Sequence, residues 1–514
     1  MTDKHLDHGR KFHTFLFRHC VRSTKKKVKL YNGDESASNH ASDYTKKDLP
    51  HWNTPNEWCT ETAMDILQST GSFLLENVLL REEAGARKRI RVQIISDTSQ
   101  RDVDTSLALS LGMANASFRY QDLHIDGLDD LRLDHALFDP LDDGANTINV
   151  PRCAAYYLQN QTVIDIERRL KAVPPPEPGL EAMLALFEKI GGVGHAGTLF
   201  SIKPPSTMYL NRTEMKLAGA INIVKIFAQM LFYSRAGDID PPFLPKATLD
   251  DVYQALEWVH WSRSVLSIDN VEAATQGAVV ADAILQSLQD GQYGGDHCAD
   301  DYDVCATLFV GHDSTIDAVA TALGLRWKLR PPYRSGRDSI GEYVPTPPGG
   351  AMYFMHEEQS DTVELAYLYP VYSSQEATAW KLNKTGILES VPMALKLPID
   401  SSTSAGSSEL STMVTFLHSF PGGMRERMHA ILTTFPGATG CYQDIMDRTK
   451  LPQNQNALQL REKQFCGRVI VGTLLITFSF GLTTLFFAKK IKASTGRAMY
   501  SNELFEGCEH MELT

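Results

Sequence analysis

The chain has 514 residues, 50 Lys and Arg against 62 Asp and Glu for a net charge of −12, and 43% hydrophobic against 22% charged residues. That balance excludes a mainly disordered or many-span membrane chain, and the acidic surplus argues against nucleic acid as a partner, because such binding rests on neutralising phosphates. Eight cysteines are too sparse for a disulfide scaffold, and no Cys-x-x-Cys pair offers a zinc or dithiol site.

Residues 1–11 are polar, and the first apolar stretch, FHTFLF at 12–17, is too short for a signal-peptide core, so no signal peptide is visible. That stretch reads as a strand, 61–79 as a helix, RVQIIS at 91–96 as a strand and 102–111 as a helix. The alternation makes 12–149 the first part of an α/β core. From Val150-Pro151, helical periodicity dominates 150–300, notably at 212–233 and 271–288, with a break at VPPPEPG, 173–179. This is a mainly α-helical insert. The core resumes over 301–452 with a strand at 306–310, a helix at 314–323, and strands at AMYFMH from 351 and VELAYLY from 363. The fold class is therefore α/β, an open mixed sheet with flanking helices plus the helical insert.

A Ser/Thr-rich loop at 401–412 and a polar stalk at 453–468 lead to 469–488, 20 residues without a charge. At ~1.5 Å per residue such a run covers the ~30 Å hydrocarbon core, and it reads as a single C-terminal transmembrane helix. Lys489, Lys490 and Lys492 open the short tail 489–514 and favour a cytosolic C-terminus. The expected topology is a single-pass membrane protein with its body extracellular or lumenal, in a lysosome or vacuole or at the cell surface. Sequons at Asn115, Asn160, Asn211 and Asn383 suit a glycoprotein. The six cysteines before the stalk allow 15 full pairings, and spacing does not choose among them.

The first strand runs into Arg18, His19, Cys20, Val21 and Arg22, which sets one imidazole between two guanidiniums at a strand end. Strand ends are where open α/β sheets bind ligands. Lys25, Lys26, Lys27 and Lys29 follow with no acidic residue before Asp34, so positive charge concentrates here, either for a substrate or as a solvated loop. Arg101 closes IISDTSQR at 94–101, again just past a strand, and Asp97 within it either touches substrate or caps a turn. Gly311-His312-Asp313 ends a third strand at a helix start, where backbone N–H groups favour an anion; the plainer reading of Asp313 is an N-cap.

This constellation resembles the branched histidine phosphatase (histidine acid phosphatase) family, whose signature is R-H-G-x-R-x-P early and H-D late, and within it the phytase and glucose-1-phosphatase subgroup. WNTPNEWCTETAMDILQSTGSFL from Trp52, IISDTSQR, LFDPL from Leu137, LFVGHDSTIDAVATALGLRW from Leu308, TPPGG from Thr346 and GCYQDIMDR from Gly440 are similar to segments of that subgroup, over roughly 12–452. The resemblance implies an acid phosphatase that hydrolyses phosphomonoesters through a phosphohistidine, tethered here to a membrane. It makes His19 the nucleophile, Asp313 the proton donor, and Arg18, Arg22, Arg101 and His312 the phosphate ligands. Asp97, Lys25 and Lys26 become substrate contacts.

It implies no metal and no cofactor, because positioning and guanidinium charge can carry phosphoryl transfer. Neighbouring arginines disfavour a protonated imidazole, and a bound phosphate raises the proton affinity of Asp313. The expected partners are a small phosphorylated substrate, such as a sugar or inositol phosphate, and the membrane through the C-terminal helix; nucleic acid is not one. Cys20 stands where the motif has glycine, and Ser23-Thr24 where it ends in proline. The rival reading is thus a catalytically inactive membrane protein of the same fold that binds phosphorylated ligands. A mutase-type transferase is disfavoured by Asp313. Cys20 is either an oxidisable thiol or a packed small side chain. Trp258, His260 and Trp261 lie in the insert that shapes specificity in the family, with core packing as the plainer role.

Overall fold

The computed structural model describes residues 9–26, 40–80, 88–140, 176, 179–201, 206–211, 214–267, 271–294, 298–329, 346–358, 360, 362–370, 372–373, 381–382, 388–395, 422–435 and 437–449. It divides into two units, Met1–Met446 and Asp447–Thr514, and in the second only 447–449, the end of the last helix, are described.

In chain order the sheet-forming segments begin with β1 (Lys11–Arg18), β2 (Lys88–Ser96), β3 (Leu123–Asp126) and β4 (Leu131–Leu133). After a hairpin of β5 (Ser206–Asn211) and β6 (Glu214–Gly219) come β7 (Val304–Gly311), β8 (Leu325–Arg326), β9 (Ala351–Glu357) and β10 (Val363–Pro370). The last are β11 (Tyr372–Ser373), β12 (Lys381–Leu382), β13 (Leu388–Pro392) and β14 (Ala394–Leu395). Eight of them form one mixed sheet in the order β13-β10-β9-β1-β7-β2-β3, with β4 also on β2. The pairs among β1, β7, β2, β3 and β4 are parallel, whereas β9, β10 and β13 join antiparallel on the other side. Sequence neighbours are not sheet neighbours: β7 inserts between β1 and β2, so the segment between β4 and β7 leaves and rejoins one sheet.

The helices are α1 (Glu61–Leu74), α2 (Gln100–Ser117), α3 (His135–Phe138), α4 (Leu180–Gly191), α5 (Ala220–Ala236), α6 (Leu249–Ser267), α7 (Val271–Asp290), α8 (Asp313–Leu323), α9 (Gly422–Thr434) and α10 (Ala438–Thr449). Every residue of β7 is buried, which requires cover on both faces and explains its continuous apolar run. Helix α2 packs on β2 and β7, and α7 on β1 and α8. Phe15, Phe17, Phe309, Ile94 and Ile95 fill the centre of this core. Phe309 is fully buried, with its ring edge-on to Tyr293 at 5.9 Å. Phe309→Ala is expected to cost about 3–5 kcal/mol, read as a lower denaturant midpoint at unchanged slope.

The helix expected over 61–79 forms, its last turn at 75–79 widened with the Leu80 N–H on the Leu75 carbonyl at 3.0 Å. Two expectations are corrected. The helix expected over 212–233 starts only at Ala220, because 206–211 and 214–219 pair antiparallel and Gly219, at φ 80°, turns the strand into the helix. The single C-terminal transmembrane helix is withdrawn, and with it the single-pass topology, the extracellular or lumenal body and the cytosolic tail. No helix among the described residues is long and apolar enough to cross a membrane. Apolar composition, which motivated the span, is only one requirement; a spanning segment must also satisfy its backbone groups along a continuous helix. The run 469–488 lies outside the described residues, as do the loop 401–412, the stalk 453–468, the tail 489–514 and the sequons Asn160 and Asn383.

The register fixes what the sheet presents. Arg18 lies opposite Gly311 and Ser96 opposite Val310, so His19, Asp97 and His312 leave β1, β2 and β7 at one carboxyl edge.

Candidate active site

At that edge the β1 continuation is fastened before any charge is considered. The Gly349 N–H, in the TPPGG turn and at φ 75°, donates to the carbonyls of Arg18 at 3.2 Å and His19 at 3.1 Å. The His19 N–H donates to the Gly311 carbonyl at 2.9 Å. Cys20 is disulfide-bonded to Cys59, with Cα atoms 5.6 Å apart. Arg22 bridges the Cys59 backbone, the Ser23 N–H reaches the Trp58 carbonyl at 3.0 Å, and the Thr60 N–H reaches the Val21 carbonyl at 3.0 Å. Neither a packed thiol nor an oxidisable one stands at position 20. Nor does its backbone need glycine, since Cys20 is not among the described residues with positive φ. Ser23 and Thr24, in the motif's proline region, are buried. A second disulfide joins Cys298 to Cys305.

His19 is 3% exposed. Its Nδ1 lies 2.9 Å from the Cys20 carbonyl, which can only accept, so Nδ1 carries the proton and Nε2 carries the lone pair. Burial, then the charges of Arg101, Arg18 and Arg22 and the neighbouring His312, hold its pKa well below the usual imidazole value. The ring is therefore a neutral base among three cations. His312 meets it edge-on, with centroids 5.6 Å apart.

The His312 tautomer is fixed from both sides. Arg101 Nη2, which can only donate, lies 3.2 Å from Nδ1, and Asp97 Oδ2 lies 2.8 Å from Nε2, so Nε2 donates to the carboxylate. Asp97 also takes His135 Nδ1 on Oδ1 at 2.7 Å. Burial would raise Asp97, but the bonds from His312 and His135 outweigh it and keep it ionised. Behind them Asp102 is fully buried, and desolvation, opposed by His312 and Arg101, pushes it up to about 7. Asp97, Asp102 and His312 bring ligand atoms within 4.8 Å of one another. They do not form a metal cage, because the two carboxylates address opposite nitrogens of one ring, Asp102 Oδ1 sitting 3.5 Å from Nδ1. Gly311 gives room for this corner: a Cβ there would come within 2.8 Å of the Phe138 ring.

Asp313 opens α8 beside Arg18. Its Oδ2 is 3.1 Å from Arg18 Nη2 and 3.4 Å from Arg263 Nη1, and its Oδ1 accepts the Ser314 N–H at 3.0 Å. Burial would raise its pKa, yet Arg18 and Arg263 hold it well below the ordinary carboxylate range. Its side chain retains 24% exposure, so one edge still faces the cleft. Arg18 also donates to Tyr233 Oη at 2.7 Å and to the Thr346 carbonyl. Arg263 reaches Asp317 through Nε at 2.5 Å and Nη2 at 3.2 Å. Burial works to raise Asp317 and the Arg263 charge opposes it, while Asp317 in turn holds Arg263 in its charged form against burial, so the two stand as an ion pair.

Of the residues expected at a site, Arg18, His19, Arg101, His312, Asp313 and Asp97 come together here. Arg22 is near enough to act on His19, while its Nη1 lies 3.0 Å from the Ser23 carbonyl and 3.7 Å from Glu57. Lys25 pairs with Glu57 at 2.8 Å on an exposed loop, and Lys26 offers its carbonyl to the Ala41 N–H. The sequence reading did not assign His135, Tyr233, Arg263 or Asp317 to the site, and it left His260 as core. Their signal was present: Asp317 stands one turn after Asp313, hence on the same helix face, and Arg263 follows His260 by three in an otherwise buried helix.

The fold built on this eight-stranded mixed sheet, with a helix-rich segment between β4 and β7, is similar to that of solved phytases. The phytase of Citrobacter braakii is 17% identical and superposes with a TM-score of 0.50 over 82% of this chain and 98% of its own. The phytase of Hafnia alvei, also solved with myo-inositol hexakis sulphate, is 16% identical, with a TM-score of 0.54 over 85% of this chain and 98% of its own. For the phytase of Klebsiella sp. ASR1 the values are 17%, 0.51, 84% and 96%. Identities this low establish a shared fold. No family model and no curated protein matches the chain.

Proposed function

We propose that the chain is a phosphomonoesterase of the histidine acid phosphatase type, working through a phosphohistidine. The observation that carries this is the neutral His19, with its lone pair on Nε2, among Arg18, Arg22 and Arg101 and beside Asp313. The guanidiniums bind the phosphoryl oxygens and spread the charge that develops on them, and His312 joins them by turning its Nε2–H from Asp97 to the phosphoryl group. The His19 Nε2 lone pair forms the bond to phosphorus, the ester P–O bond breaks, and the leaving oxygen takes the Asp313 proton. Water then attacks phosphorus, passing its proton to Asp313, and inorganic phosphate leaves His19 free. Asp313 is ionised while it pairs with Arg18; a phosphoryl dianion that recruits Arg18 and adds negative charge nearby raises its proton affinity.

The inactive-binder reading drew on the loss of the motif glycine, and the backbone at Cys20 makes no use of one. The inositol hexakis sulphate bound by the Hafnia phytase makes inositol polyphosphates the first class to try. The purified full chain is expected to release phosphate from myo-inositol hexakisphosphate, glucose 1-phosphate or p-nitrophenyl phosphate in mildly acidic buffer, equally with and without chelator. Phosphate binding without release from any of them would favour the binder. Arg101→Ala is expected to weaken all phosphate ligands alike, KM and the inhibition constant of inorganic phosphate rising ~10- to 150-fold for a lost charged hydrogen bond of about 1.5–3 kcal/mol.

A further inference from the structure

Arg263 reaches the site from α6, in the segment between β4 and β7, and its fork is unevenly shared. Nε and Nη2 both bind Asp317, at 2.5 and 3.2 Å, while only Nη1 reaches Asp313, at 3.4 Å. Asp317 is fully buried and Arg263 nearly so, with side-chain exposures of 0% and 7%. The pair sits one helical turn behind Asp313 on the same face of α8.

The charged and titratable groups around Asp313 come from four other elements. β1 and its continuation supply Arg18 and His19, α5 supplies Lys225 and Tyr233, α6 supplies Arg263 and His260, and β10 supplies Tyr367. His260 Nδ1 lies 3.4 Å from Arg263 Nη1. Two buried guanidiniums thus face two carboxylates.

We propose that Arg263 and Asp317 are positioning residues for Asp313, with Asp317 cancelling the guanidinium charge that would otherwise keep Asp313 ionised once substrate is bound. The inference rests on the phosphatase reading above. When a phosphoryl group recruits Arg18, Arg263 is the cation left bonded to Asp313. An unpaired guanidinium there would hold the carboxylate and forbid proton donation. A guanidinium already bound twice to Asp317 fixes the geometry of Asp313 through its third nitrogen without locking its charge. No covalent step is added; the pair sets only when Asp313 carries its proton.

The experiment is the pH dependence of kcat for the full chain on a poor leaving group, β-glycerophosphate, and a good one, p-nitrophenyl phosphate. A proton donor must be protonated, so kcat falls as pH rises through its pKa in the substrate complex. Asp317→Asn leaves the Arg263 charge uncancelled and should move this descending limb down by about one pH unit or more for β-glycerophosphate. Arg263→Gln removes the cation and should move it up, and Arg263→Lys should stay near wild type. The p-nitrophenyl phosphate limb should hardly move, because its leaving group needs little proton.

Packing loss alone would lower kcat without opposite shifts. If Arg263→Gln does not fold, Asp317→Asn against Arg263→Lys decides. An unmoved limb in Asp317→Asn, shifts of one sign in both charge variants, or equal shifts for both substrates would overturn the proposal. A wild-type chain that hydrolyses neither substrate would instead overturn the phosphatase reading, which keeps the two failures distinct.

Discussion

His19→Ala is expected to lower kcat by at least about 10³-fold on every phosphomonoester while leaving the fold intact. Arginines and a helix N-terminus can hold a phosphoryl group, but none of them can form the bond that the Nε2 lone pair supplies. The fold should tolerate the change because, among the described residues, the ring bonds only its neighbour's carbonyl, while the backbone around it is held by Gly311, Gly349 and the Cys20–Cys59 disulfide. A near-native thermal midpoint should therefore accompany the loss. The decisive reading is a rapid quench of wild type with phosphate-labelled substrate into base, where a phosphorus–nitrogen bond survives. Label on the wild-type protein and none on His19→Ala supports the mechanism; an unlabelled but active wild type, or a variant with normal turnover, would refute it.

The strand ends were legible in the sequence for a physical reason. Strands buried on both faces read as apolar runs, and the residue leaving such a run is placed at the sheet edge without further information. This is how His19, Asp97 and His312, with Asp97 and His312 alone 215 positions apart, could be read as one cluster from the sequence. What stayed hidden depends on pairing between elements. The partner of Cys20 lies 39 residues on, and nothing in spacing singles out Cys59 from the other cysteines. Arg263 and Asp317, 54 apart, meet only because α6 crosses α8. Local rules failed in two ways. The Met215–Leu217 stretch carries enough apolar residues to suit either period, and pairing with 206–211 chose the strand. The uncharged run at 469–488 suggested a span on composition alone, and no described helix supplies one.

Asp313→Asn should separate binding from proton transfer more sharply than any other change at the site. With Asp313 as the donor, hydrolysis of an alkyl phosphate is expected to fall ~10²- to 10⁴-fold, since the departing alkoxide is left without its proton. p-Nitrophenyl phosphate, whose phenolate leaves unassisted, should lose less than about tenfold by the same argument. A purely structural Asp313 would cost both alike. A second reading comes from the ion pairs: Oδ2 lies 3.1 Å from Arg18 and 3.4 Å from Arg263, so in the free site the carboxylate competes with phosphate for Arg18. Removing that charge frees the guanidinium, and inorganic phosphate should bind Asp313→Asn at least as tightly as wild type while turnover collapses. Binding that weakens in step with kcat would mean that Asp313 serves to hold Arg18 in place, and the proton donor would have to be sought elsewhere in the cleft.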